Sequence, residues 1–214
     1  MKKGATFAVV DEEQYAIPEN CILVKDGLTA LQNLARDYRQ RFHIPVIGLT
    51  GSNGKTTSKE LIAKTLSKRY QTHFTKGNFN NHIGVPLTLL DLEEKHEVAV
   101  IEMGANHQKE IEFLCSIAQP SHGLITNIGK AHLEGFGGIE GVKKGKGELL
   151  DYLLENDGTF FYNIGDANLV ELAAKINRKI GYGLKDSLQD NFYNIKLNSS
   201  APFINIDLLD ENYK

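Results

Sequence analysis

The sequence predicts an α/β fold, a mostly parallel sheet flanked by helices, with a C-terminal antiparallel strand pair. Three observations carry that expectation. Runs such as Val98-Ala99-Val100-Ile101 have the length of a strand and are apolar throughout, as strands buried on both faces must be. Segments with apolar residues three and four apart alternate with those runs, which is the pattern of βαβ units. Near the end, Tyr193, Ile195 and Leu197, then Ile204, Ile206 and Leu208, alternate with polar residues, the period of half-exposed strands.

Taken in order, Leu28, Leu31, Leu34, Ala35, Tyr38 and Phe42 define an amphipathic helix over 28–42, which Pro45 closes. Pro45-Val46-Ile47 leads the first buried strand, and Leu61, Ile62, Thr65 and Leu66 mark the apolar face of a helix over 55–69. A strand at Tyr70–Thr75, an asparagine-rich loop at 76–82 and a short helix around 84–91 follow. The apolar run 98–101 ends on Glu102, and Ile111, Leu114 and Cys115 place the next helix before Pro120. A strand over 123–128, a helix over 139–154, a strand at Thr159–Tyr162 and a helix over 167–177 continue the alternation. The final strand pair is joined across Ser199–Pro202.

With 214 residues the chain is long enough for one well-buried domain, and its 41% hydrophobic and 24% charged residues are those of a soluble globular protein. The formal net charge of −3 gives no general attraction to nucleic acid, and no such partner is expected. No segment approaches the roughly 20 apolar residues that span a bilayer, and the run at Ala5–Val10 is too short for a signal peptide. Cys21 and Cys115 have neither disulfide nor zinc spacing. A cytoplasmic protein with no membrane partner, acting as a monomer, is the expectation.

The chemistry is concentrated in Gly48-Leu49-Thr50-Gly51-Ser52-Asn53-Gly54-Lys55-Thr56-Thr57. Strand, glycine loop and helix form the setting of a phosphate site: backbone N–H groups point at an anion, Lys55 adds charge, and the Thr56 hydroxyl reaches Mg²⁺. The spacing departs from the plain Walker A pattern, which wants glycine where Leu49 stands. In such sheets ligands gather at the carboxyl ends of the strands. Glu102 is therefore a candidate for the acid that holds Mg²⁺ in P-loop enzymes. From the residues alone, His132, shortly after the strand ending at Ile128, reads as structural rather than as a ligand, and Lys143-Lys144-Gly145-Lys146-Gly147-Glu148 reads as the solvated start of a basic helix.

The glycine run, with Ser58-Lys59-Glu60-Leu61 after it, resembles the signature of the Mur ligase and folylpolyglutamate synthetase superfamily. The similarity to the Mur ligases extends through Gly77-Asn78-Phe79-Asn80-Asn81-His82-Ile83-Gly84-Val85-Pro86-Leu87-Thr88, Ile101-Glu102-Met103-Gly104-Ala105-Asn106 and Thr126-Asn127-Ile128-Gly129-Lys130-Ala131-His132-Leu133-Glu134-Gly135-Phe136-Gly137. Together these stretches cover roughly residues 22–170 and are specific.

That resemblance implies the P-loop central domain of a Mur ligase, an enzyme that couples ATP cleavage to amide formation in peptidoglycan precursor synthesis. Its branch joins D-Ala-D-Ala to UDP-MurNAc-tripeptide through an acyl phosphate. By the same resemblance, Gly51, Ser52, Asn53, Gly54, Lys55, Thr56 and Thr57 hold the ATP phosphates, and Asn163 contacts adenine. Thr56 and Glu102 are implied ligands of a first Mg²⁺. His132 is the implied ligand of a second, together with Lys146 as a carbamate, so Lys55, His132 and Lys146 form the implied catalytic set. Asn78, Asn80 and Asn81 line the place where substrate meets the γ-phosphate. A carbamate makes chemical sense, because an ammonium cannot ligate a cation whereas its CO₂ adduct is an anionic oxygen ligand. Forming it needs a neutral amine and so a lowered pKa.

The chain departs from the family pattern at Gly165, where an acid is usual, at Lys109, where glycine is, and at Gly138, where serine is common. The domain expectation is the end of an N-terminal UDP-substrate domain plus linker helix over 1–40. An incomplete ATP-binding central domain over 41–214 follows, without the C-terminal ligase domain, so that this stretch alone is not competent. The alternatives are another Mur-type or cyanophycin-synthetase-like ligase, or a P-loop phosphotransferase or ATPase. A nucleotide switch would carry a base-reading Asn-Lys-x-Asp motif, which the sequence lacks.

Overall fold

The computed structural model describes residues 4–17, 19–130, 133–183, 192–199 and 205–209. The buried apolar runs become strands of one sheet: β3 (Val46–Thr50), β4 (Thr72–Phe74), β5 (Val98–Glu102), β6 (His122–Ile125), β7 (Thr159–Asn163), β8 (Lys179–Gly183), β9 (Phe192–Ser199) and β10 (Asn205–Leu209). Among the described residues they lie in the order β10-β9-β8-β7-β6-β3-β5-β4. Every neighbouring pair is parallel except β9 with β10, which is antiparallel as the period-two pattern predicts. Ile204 and the link over 200–204 lie outside the described residues. A separate parallel pair precedes the sheet, β1 (Ala8–Val10) with β2 (Cys21–Leu23).

From β3 the chain crosses to the edge strand β4 and returns to β5, then passes to the other side of β3 and runs outward through β6, β7 and β8, so the order switches beside β3. A sheet opens its crevice at such a switch point, beyond the carboxyl ends of the strands. The helices between strands are α1 (Gly27–Arg39), α2 (Lys55–Leu66), α3 (Gly84–Leu90), α4 (Glu110–Ala118), α5 (Leu133–Phe136), α6 (Ile139–Glu155) and α7 (Ala167–Ala173). Helix α1 begins where Asp26 accepts a hydrogen bond from the Thr29 N–H at 2.6 Å, and it packs on α3 and α4. Its Arg39 is buried and donates to the carbonyls of Phe42, Ala118 and Gln119, which closes the ends of α1 and α4. The core joins Val46, Ala99 and Ile101 of the sheet to Leu114 and Ile117 of α4 and to Leu149, Leu150 and Leu153 of α6.

Several boundaries differ from the sequence reading. Helix α1 stops at Arg39 rather than residue 42, α2 at Leu66 rather than 69, and α7 at Ala173 rather than 177. Strand β6 ends at Ile125 because the next residues leave the sheet to hold the glycine loop at 51–54. Strand β8 has no clear sequence signal: Lys179-Ile180-Gly181-Tyr182-Gly183 carries two glycines, which weaken strand propensity. Strands β1 and β2 and helix α5 are too short to carry a periodic pattern.

Candidate nucleotide and metal site

The irregular glycine spacing has a structural reason. Gly48 and Leu49 belong to β3, and Leu49 is wholly buried, so the loop proper is only Gly51–Gly54. Gly51 has φ +144°, and a Cβ there would stand 2.0 Å from Thr126 Oγ1; Gly54 has φ +76° and forms the left-handed entry to α2. The loop is braced from the end of β6. Ser52 Oγ donates to the Gly129 carbonyl at 3.1 Å and accepts from its N–H at 2.9 Å. The Asn53 N–H donates to Asn127 Oδ1 at 3.2 Å, while Thr126 Oγ1 and Asn127 Nδ2 both donate to the Asn53 carbonyl. Thr126 and Asn127 are quoted in the family motif without a role; their work is to set this loop.

Lys55 opens α2 and curls back, its Nζ donating to the carbonyls of Gly51 at 2.8 Å and Ser52 at 3.3 Å. Partial burial lowers its pKa, and the Glu102 carboxylate opposes that shift. Glu102, the last residue of β5, is 1% exposed. Its Oε1 accepts from Asn80 Nδ2 at 2.8 Å and from Thr56 Oγ1 at 3.2 Å. Among the described residues, two buried side-chain oxygens lack any partner, Glu102 Oε2 and Thr50 Oγ1. They lie at the carboxyl ends of adjacent strands, beside the glycine loop. Buried oxygens left unpaired are costly, and an orphaned carboxylate oxygen next to a hydroxyl is the donor set of a hard cation. Glu102, with its free Oε2 and with the Thr56 hydroxyl on its Oε1, therefore fits Mg²⁺ together with Thr56. Among the described residues no group of three His, Cys, Asp or Glu side chains is gathered for a metal. Mg²⁺ needs none, being held through one or two carboxylates and phosphate oxygens.

A cleft of about 710 Å³ opens beside this centre, lined by Lys55, Asn80, Asn81, Asn106, Gln108 and Lys109 among others. Of the three asparagines read as substrate contacts, the structure brings Asn80 and Asn81 to the cleft, and Asn78 is not in its lining. Asn80 serves Glu102, and Asn81 Oδ1 accepts from the N–H groups of Ile83 and Gly84 at the entry to α3. Asn163 closes β7 on the far side of β6, its Oδ1 accepting from the Gly165 N–H. His132 lies outside the described residues.

Lys146 corrects the residue-only reading of a solvated basic helix start. It is 1% exposed, and its Nζ donates to the Ala105 carbonyl at 3.0 Å and sits 5.0 Å from the Phe136 ring centroid. Burial, with Lys55 nearby, lowers its pKa to about 8. On the same helix Glu148 accepts from the N–H groups of Lys109 at 2.6 Å and Glu112 at 3.0 Å, gripping the start of α4. Lys109 has φ +71°, a left-handed backbone that glycine adopts without strain. The sequence marks Glu148 only as a carboxylate two positions after Lys146.

Residues 49–212 match the Mur ligase middle domain. The chain belongs to the Mur ligase family. It is 48% identical over 164 residues to the UDP-N-acetylmuramoyl-tripeptide–D-alanyl-D-alanine ligase of Bacillus subtilis, an alignment covering 76% of this chain and 35% of that relative. Among solved Mur ligases, MurF from Thermotoga maritima in complex with ADP superposes with a TM-score of 0.79 at 30% identity, covering 91% of this chain and 44% of that one. MurF from Acinetobacter baumannii gives 0.78 at 34%, covering 97% and 47%. The chain thus spans about a third of the curated relative and under half of the solved chains. Like those folds, this Mur ligase chain is a mostly parallel sheet flanked by helices. Both cysteines are free, and among the described residues no helix is long and apolar enough to cross a membrane.

Proposed function

We propose that this chain is the nucleotide-handling part of an ATP-dependent, ADP-forming ligase that joins D-Ala-D-Ala to UDP-MurNAc-tripeptide during peptidoglycan precursor synthesis. The observation that carries this reading is the pair of orphaned buried oxygens on Thr50 and Glu102, at the carboxyl ends of adjacent strands beside the glycine loop. An ADP complex of a similar enzyme supports the nucleotide. In this reading residues 41–214 form the ATP-binding unit, preceded by the end of a UDP-substrate domain and a linker helix over 1–40. The protein acts as a cytoplasmic monomer.

The loop amides from Gly51 to Thr57 and Lys55 orient the triphosphate, Asn163 contacts adenine, and Asn78, Asn80 and Asn81 guide the substrate carboxylate. Thr56 and Glu102 would hold one Mg²⁺, and His132 with a Lys146 carbamate a second. The ions supply neutralisation where a carboxylate must approach a polyphosphate. A substrate carboxylate oxygen attacks the γ-phosphorus as the bond to the β-phosphate oxygen breaks, giving an acyl phosphate and ADP. The neutral amine of D-Ala-D-Ala then attacks the acyl carbon, loses a proton, and expels inorganic phosphate.

Oxygen labelling in the full-length protein tests this. With ¹⁸O in the tripeptide carboxylate, each turnover is expected to place one labelled oxygen in phosphate, and only with both substrates present. Unlabelled phosphate, or turnover indifferent to D-Ala-D-Ala, would refute it.

A further inference from the structure

Lys59 is among the largest fully buried side chains, with no exposed surface at all. It lies on α2 one turn after Lys55 and three residues after Thr56. Its Nζ donates to the Thr75 carbonyl at 2.7 Å, to Glu60 Oε1 at 2.8 Å and to the Gly77 carbonyl at 3.4 Å, and it sits 5.7 Å from the Phe74 ring centroid. Thr75, itself fully buried, follows β4 and uses its Oγ1 to accept the Glu102 N–H at 2.9 Å. Glu102 Oε1 in turn receives Asn80 and Thr56, and Thr56 returns to α2.

These bonds close a ring from α2 to the end of β4, to the end of β5 and back to α2. Such a network is stiff when every member is satisfied, because each bond fixes the geometry of the next. Glu60 is partly exposed, and its pairing with Lys59 by itself does not account for burying an ammonium. What burial does achieve is to lock the 75–80 segment to the same helix that starts at the phosphate loop.

We propose that Lys59 is a positioning residue: by holding the Thr75 and Gly77 carbonyls it fixes Glu102 and Asn80 relative to the phosphate loop. The effect on turnover rests on the functional reading above; the effect on geometry does not. The Lys59 ammonium donates to neither the loop residues 51–54 nor Lys55, so nucleotide affinity and turnover should separate.

The test uses Lys59→Met, Thr75→Val and the double variant in the full-length protein, each checked for folding by thermal melting. Turnover is expected to fall by about 100-fold in each single variant while ADP affinity stays within about threefold, a split that general destabilisation does not produce. The double variant should fall no further than the worse single one, as for members of one network. Independently of any ligase assay, amide hydrogen exchange at Glu102 should quicken about tenfold or more in Lys59→Met, with strand β6 unchanged. A folded Lys59→Met variant with parental turnover, multiplicative losses, or unchanged exchange at Glu102 would overturn the proposal. Should Lys59→Met not fold, Thr75→Val decides by the same split between turnover and ADP affinity. A parent without ligase turnover would remove the proposed function, and the Glu102 exchange would then decide the positioning role.

Discussion

Lys59 and Lys146 are both fully buried, yet their surroundings differ in kind. The Lys59 ammonium has a partner for each of its three donors: two carbonyls and a carboxylate. Among the described residues, Lys146 has one carbonyl and the face of Phe136, with the positive Lys55 close by, and its pKa falls to about 8. The same side chain, equally buried, becomes a fixed strut in one place and a titrating amine in the other. Burial alone does not tell them apart; the set of partners does.

Substitution at Lys146 should sharpen that contrast most. If Lys146 is the reactive member, Lys146→Met lowers turnover of the full-length enzyme by about 10³-fold, beyond the loss at Lys59, with ADP affinity within about threefold. Phosphate release and ADP titration measure both. A loss smaller than that at Lys59 would reverse the ranking.

The next effect is on stability against pH. The folded-state pKa of Lys146 lies below its unfolded value, so between about pH 8 and 10.5 the unfolded chain holds a proton that the folded one has released. Stability from this group therefore rises with pH across that window, by at most about 3 kcal/mol, and the gain should vanish in Lys146→Met. Urea unfolding at a series of pH values, with parent and variant compared, reads the difference.

Smaller effects come from the segment that Lys146 and Glu148 hold together. Glu148→Gln leaves only one oxygen for the N–H groups of Lys109 and Glu112, and should cost about 1–2 kcal/mol in urea unfolding. Lys109→Gly relieves the left-handed backbone at φ +71° and forfeits only an exposed pairing with Glu112. It should stabilise by up to about 1 kcal/mol, seen as a small rise in melting temperature.

The sequence made the sheet legible wherever a strand was buried on both faces, as in Val98–Ile101, because continuous apolar runs leave little choice. It made β8 illegible, since Gly181 and Gly183 carry no side-chain pattern and the strand is set by pairing with β7 and β9. Lys55, Thr56 and Glu102 were readable because a loop and a strand end announce them. Lys59 and Glu148 were not, because the backbone groups they hold lie about sixteen and forty residues away, which no local spacing reveals. Lys146 could be named from family resemblance, but its burial and weakened proton affinity come from packing against Phe136 and Ala105.

Carbon-13 NMR of the protein equilibrated with ¹³CO₂ near pH 8.5 tests the division between the two lysines most directly. The account predicts a carbamate resonance that disappears in Lys146→Met and persists in Lys59→Met. A parent without that resonance, or a resonance that survives Lys146→Met, would contradict it.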